Sequence, residues 1–255
     1  MKSRHSVIAL LALSLLMPGM SRAQMGGAPA KPSIVLVHGS FADATGWGRI
    51  ITLLEKDGYT VTAVQNPMTS FADDVATTKR MIDAQTGNCV VVGHSYGGAV
   101  ITAAAAGNPK VKALVYVAAF GPDTGEVFGA LLEKIPTEVG KSFRPDAAGF
   151  VYIDRAAFHD VFCADVAKDE AAVMAAAQKP IHGSAFGASV ETPAWKTVPA
   201  WYIVASEDKV INPELERFMA KRMNATTSEL KSSHVPFISK ANDVAKVIVA
   251  AATAK

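Results

Sequence analysis

The run Cys89-Val90-Val91-Val92 constrains the fold more than any other feature of this chain. It is apolar at every position, with no polar alternation. A strand of that kind is buried on both faces, which requires helices on both sides of a mainly parallel sheet. Gly93-His94-Ser95-Tyr96-Gly97-Gly98 follows at once. A small-residue helix is then predicted over 97–106, stopped by Gly107-Asn108-Pro109.

The same rhythm recurs on either side. Strands are predicted at 34–37, 60–64, 111–117, 201–204 and 227–230. Helices are predicted at 47–56, from Ser70 onward, from Asn212-Pro213 to about Met223, and at 242–251. Ser70 with Asp73 three residues later forms a capping box, and Pro213 suits a first helical position. Strands alternating with helices imply right-handed crossovers and a doubly wound α/β sheet. The rhythm lapses between 121 and 197, which reads as a helical and irregular insertion, a small cap of about 75 residues within one domain spanning 33–255.

Residues 1–23 are set aside from the fold. Lys2 and Arg4 precede an apolar run over 7–17, and Pro18-Gly19 and Ser21-Arg22-Ala23 follow. That is the layout of a cleaved secretory signal, so the protein is expected to be exported, periplasmic or secreted. Residues 24–32 read as a linker. Beyond the signal, 22 basic residues face 23 acidic ones, so no basic surface for nucleic acid is expected. No later stretch is long and apolar enough to span a membrane. The two cysteines, Cys89 and Cys163, are expected to stay unpaired, and no Cys/His spacing suggests a metal site.

Gly93-His94-Ser95-Tyr96-Gly97 fits G-x-S-x-G between a buried strand and a helix, the context that gives the pattern meaning. A serine on such a sharp turn projects its hydroxyl clear of the sheet, and the positions two before and two after it have room only for glycine or a similarly small residue. Ser95 is therefore the candidate nucleophile. A neutral serine needs an adjacent base. Of six histidines, His5 lies in the signal, His38 and His94 sit at tight strand ends, and His159 and His182 fall in the insertion. His234, on a loop after the last strand, is the candidate base, and His94 is expected to be structural. Asp208 follows the strand at 201–204 by a short loop and is the candidate orienting carboxylate, with Glu207 and Asp123 as rivals. The order Ser, Asp, His suits this type of fold. His38-Gly39-Ser40-Phe41 ends the first strand. The amides of Ser40 and Tyr96 are the expected oxyanion donors, with Phe41 as the alternative to Ser40. Phe41, Tyr96, Phe120 and Phe158 are candidate pocket residues.

With these motifs in this order, the chain resembles the α/β-hydrolase superfamily. Within it, the short insertion and the segment 203–217 are similar to the branch holding plant methylesterases and hydroxynitrile lyases. The resemblance implies a cofactor-free serine esterase acting on a small-molecule ester through an acyl-enzyme. The lyases carry a Lys directly after the histidine and a Thr in the first oxyanion loop, whereas this chain has Val235 and Gly39. The alternatives are a carbon–carbon lyase or cofactor-free oxygenase on the same residues, and a ligand-binding protein without catalysis.

Overall fold

The computed structural model describes residues 31–254. The expected signal at 1–23 and most of the linker at 24–32 lie outside the described residues. In chain order the first half runs β1 (Ser33–Val37), α1 (Gly48–Lys56), β2 (Val61–Val64), α2 (Phe71–Asp83), β3 (Cys89–Ser95), α3 (Tyr96–Ala104) and β4 (Val111–Ala119). An inserted segment follows with α4 (Phe128–Lys134), β5 (Phe143–Pro145), β6 (Phe150–Ile153), α5 (Arg155–Phe162), α6 (Lys168–Ala177) and β7 (Ile181–His182). The chain then returns through β8 (Ala200–Ala205), α7 (Pro213–Arg222), β9 (Thr226–Leu230), α8 (Pro236–Ser239) and α9 (Ala241–Thr253).

The main sheet has the order β2-β1-β3-β4-β8-β9, and every neighbouring pair is parallel. This is the doubly wound α/β architecture read from the sequence. Residues 89–95 of β3 are all buried, and β1 and β4 are buried over nearly their whole length. The continuous apolar runs thus meet helices on both faces. Ser70 caps α2 as its spacing predicts, accepting a hydrogen bond from the Asp73 amide at 3.1 Å.

The strand order reverses between β1 and β3. At such a switch point the loops leaving the carboxyl ends of two neighbouring strands diverge and open a crevice. Here those loops are His38-Gly39-Ser40-Phe41 after β1 and the turn at Ser95 after β3.

Two features differ from the sequence reading. Strand β3 runs through Ser95, and α3 starts at Tyr96, one residue earlier than its apolar pattern suggests. The inserted segment, expected to be helical and irregular, also holds a three-stranded antiparallel sheet, β5-β6-β7. Its strands are two to four residues long, too short to display a period. The turn joining β5 to β6 is built by Asp146, whose Oδ1 accepts from the amides of Ala148 and Phe150, both at 2.9 Å. Gly149 there has a φ of 85°. Both cysteines are buried and free, as expected.

Candidate active site

Ser95 sits at the tip of β3 with φ 53° and ψ −125°. That is a strained conformation for a residue with a side chain, and it persists only where the surroundings enforce it. The enforcement is steric. A Cβ on Gly93 would lie 2.6 Å from the Gly97 carbonyl oxygen, and one on Gly97 would lie 2.5 Å from that of Val37. The elbow is therefore clamped between its own arms and β1, and only glycine fits at either position.

The structure brings Ser95, His234 and Asp208 together. The Ser95 Oγ lies 2.8 Å from His234 Nε2, and His234 Nδ1 lies 2.5 Å from Asp208 Oδ2. All three are buried, with Ser95 at 4%, His234 at 0% and Asp208 at 5% exposure. Asp208 is fixed in turn, because its Oδ1 accepts from the amides of Val210 at 2.6 Å and Ile211 at 3.0 Å. The rival carboxylates lie elsewhere. Glu207 is half-exposed and faces Lys231 at 3.6 Å. Asp123 pairs with Lys196 at 2.5 Å, and that contact lowers its pKa.

Among the described residues, His94 makes no hydrogen bond to the serine hydroxyl. Its Nε2 lies 2.8 Å from the His234 carbonyl oxygen, and its ring meets the His234 ring at 4.7 Å between centroids. Burial, with His234 beside it, pushes its pKa well below the usual histidine value. It is therefore neutral, and the contact makes Nε2 its N–H donor.

His38 shapes the loop after β1. Its Nε2 accepts from the Asn66 amide at 3.0 Å, which places the ring proton on Nδ1, 2.8 Å from the Gly39 carbonyl oxygen. In a planar trans peptide the C=O and the next N–H point in opposite directions. A Gly39 carbonyl turned to His38 therefore turns the Ser40 N–H away from it. The Phe41 amide is already engaged by the Lys179 carbonyl at 3.1 Å, which leaves Ser40 as the available donor in this loop. The Tyr96 amide is at the first position of α3, where a helix has no internal acceptor for it. A Cβ on Gly39 would lie 2.6 Å from the Ser95 Cβ, so the loop and the elbow are in contact.

The Tyr96 side chain turns back into the core, where its hydroxyl donates to Asp74 Oδ2 at 2.6 Å. Phe41, with φ 62°, is buried and lines a partly open cleft. Phe162, Met174, Phe237 and Ile238 supply much of its apolar wall, and Ser95 is not among its lining residues. The cleft meets the site through Phe162, which is edge-on to the His234 ring at 5.2 Å. Phe120 and Phe158, expected as pocket residues, do not line this cleft. Phe120 packs on Phe128 at 5.9 Å, and Phe158 is buried behind Phe162 at 4.9 Å. The inserted segment also touches the histidine loop, where Ser233 hydrogen-bonds Asp165.

Fold and site together define an α/β protein that carries a buried serine on a strand-to-helix elbow, in contact with an imidazole whose other nitrogen meets a carboxylate from the opposite half of the sheet. The chain belongs to the alpha/beta hydrolase family, which it matches over residues 34–247. It is 30% identical to "Probable hydrolase R7" of a Phoma species over 72% of this chain and 80% of that protein. It is 26% identical to Methylesterase 1 of Arabidopsis thaliana over 82% of this chain and 92% of that protein. Among solved structures, a pyrethroid hydrolase from Sphingobium faniae JZ-2 superposes with a TM-score of 0.75 at 22% identity, covering 88% of this chain and 98% of the other.

Proposed function

We propose that this protein is a serine esterase that hydrolyses small carboxylic esters through an acyl-enzyme. The observation that carries the proposal is the 2.8 Å contact between Ser95 Oγ and His234 Nε2, with the other ring nitrogen on Asp208. In this reading His234 takes the Ser95 proton as the hydroxyl attacks the ester carbonyl. Asp208 holds the imidazole in the tautomer that leaves Nε2 unprotonated, and it stabilises the imidazolium that forms. The amides of Ser40 and Tyr96 hold the developing oxyanion, where each such donor is worth about 3–4 kcal/mol of barrier. His234 then returns the proton to the departing alcohol. Water, activated by the same histidine, releases the acid and restores Ser95.

The apolar wall of Phe41, Phe162, Met174 and Phe237 favours an ester with at least one apolar group. The named activities of the relatives, hydrolase and methylesterase, agree with acyl transfer. Val235, apolar and fully buried, follows His234, so no ammonium stands there to balance a departing cyanide as a lyase would need. Residues 1–23 are read as an export signal, and Gln24 is then the first residue of the exported protein. N-terminal sequencing of protein recovered outside the cytoplasm tests that point.

Assay of wild-type protein on p-nitrophenyl and methyl esters of increasing acyl length, beside a cyanohydrin, tests the reaction class. Ester turnover that Ser95→Ala abolishes supports it. Cyanohydrin cleavage without ester turnover would refute it.

A further inference from the structure

Helix α7 carries Glu214, Glu216 and Arg217 in close succession. Glu214 is exposed and Glu216 is wholly buried. The Glu216 Oε2 accepts a hydrogen bond from the Ala205 amide at 3.0 Å, and the Ala205 carbonyl accepts from the Asp208 amide at 3.2 Å. One carboxyl thus holds the last residue of β8, and that residue holds the loop bearing Asp208. The other oxygen, Oε1, is buried and receives no hydrogen bond among the described residues. The adjacent cation does not neutralise it, because Arg217 turns to Glu229 and Glu214. The charged neighbour that acts on it most strongly is instead Asp208.

Two neighbouring buried carboxyls do not both ionise. Asp208 receives three N–H groups, from Val210, Ile211 and His234, whereas Glu216 receives one. The negative charge therefore belongs on Asp208 and the shared proton on Glu216. Burial, and secondly the neighbouring Asp208, push the Glu216 pKa well above the usual carboxylate range. The oxygen that lacks a donor is the one suited to carry the proton.

We propose that Glu216 is a protonated positioning residue, whose Oε1–H donates to the Asp208 carboxylate while its Oε2 holds the end of β8. The hydrogen-bonded chain Ser95–His234–Asp208 then has a fourth, neutral member. A neutral donor fixes Asp208 without placing a second negative charge near the imidazole. A second charge would hold the imidazolium too tightly to return its proton to the leaving alcohol. The kinetic consequence rests on the esterase reading, while the protonation of Glu216 stands apart from it. The charged and titratable groups around Glu216 are Asp208 on the loop after β8, Tyr202 on β8 and Arg217 on α7. His94 meets the His234 ring from β3.

The test uses the full chain, with Glu216→Gln and Glu216→Leu. Difference infrared spectra between wild type and Glu216→Gln at neutral pH are expected to show a protonated carboxylic acid carbonyl in the wild type alone. This readout needs no turnover, so it holds or fails separately from the esterase assignment. The glutamine amide can replace the O–H, and Glu216→Gln is expected to keep kcat within about threefold with the acid limb of kcat/KM in place. Glu216→Leu is expected to lower kcat at least tenfold at a KM changed less than twofold. If Glu216→Leu does not fold, the infrared band and the Glu216→Gln pH profile decide. Absence of the band, or an acid limb in Glu216→Gln displaced downward by a unit or more, would mean an ionised Glu216 and overturn the proposal. Wild-type kcat in a folded Glu216→Leu would remove the positioning role.

Discussion

His94 Nε2 lies 2.8 Å from the carbonyl oxygen of His234, 140 residues further along the chain. The residue beside the nucleophile therefore fixes the backbone of the proposed base. His94 reaches it from the rigid end of β3, while His234 sits on a loop. Losing a buried hydrogen bond of this kind costs about 1–3 kcal/mol. His94→Phe keeps an aromatic ring against Trp47 and Phe237 but removes the N–H. It is expected to lower kcat by roughly tenfold with little change in KM, measured on a p-nitrophenyl ester.

Asp208 and its rivals separate by mutation. Asp208→Asn puts an amide where the His234 Nδ1–H needs an acceptor and favours the wrong tautomer, so kcat should fall by about 10⁴. Glu207→Gln and Asp123→Asn alter half-exposed ion pairs and should leave kcat near the wild-type value. Steady-state kinetics of the three variants checks the assignment.

The elbow tolerates no side chain at Gly97. A Cβ there would meet the carbonyl oxygens of Val37 at 2.5 Å and His38 at 2.8 Å, both backbone atoms that cannot yield. Gly97→Ala is expected to cost about 1–3 kcal/mol or more. Gly48→Ala is the control, since its Cβ meets nothing within 4 Å and its φ of −50° is helical. That variant should be neutral or more stable by up to about 1 kcal/mol. Urea unfolding of both checks the contrast.

Stability should also depend on the protonation of His38. Burial lowers its pKa from 6.5 to about 4. The unfolded chain takes up a proton near the higher value, the folded protein only near the lower one. Between them the unfolded state binds more protons, so stability falls as pH drops through this window. The contribution is about 3 kcal/mol across it. His38→Gln cannot take that proton, so its loss of stability between pH 7 and pH 4 should be smaller than wild type by about that amount. Urea midpoints at the two pH values give the comparison.

Much of the sheet was legible because the central strands are long apolar runs, broken in 111–117 only by Lys112. The limits of 34–37, 89–92 and 111–117 fell inside the observed strands. Strand β3 continues past the run because His94 and Ser95 pair with β4 across a register shift, which depends on neighbours rather than local preference. The sheet in the insertion was missed, although Asp146 and Gly149 mark its turn. Ser95, His234 and Asp208 could be chosen because each had to sit at the carboxyl edge of the sheet. Glu216 could not, since in sequence it is one of several charges on a helix, and only the packing of α7 on β8 shows that it is buried. His38 and His94 were visible as residues, but their roles depend on carbonyls fixed by the fold. Phe158 was a plausible lining residue by composition, yet the turn of α5 presents Phe162 to the cleft instead.

Reaction with a fluorophosphonate, read by intact mass and peptide mapping, tests the nucleophile most directly. A single adduct on Ser95, absent from Ser95→Ala and strongly slowed in a folded His234→Ala, is the predicted result. An adduct mapped to another residue, or an unreactive wild-type protein that is demonstrably folded, would contradict it.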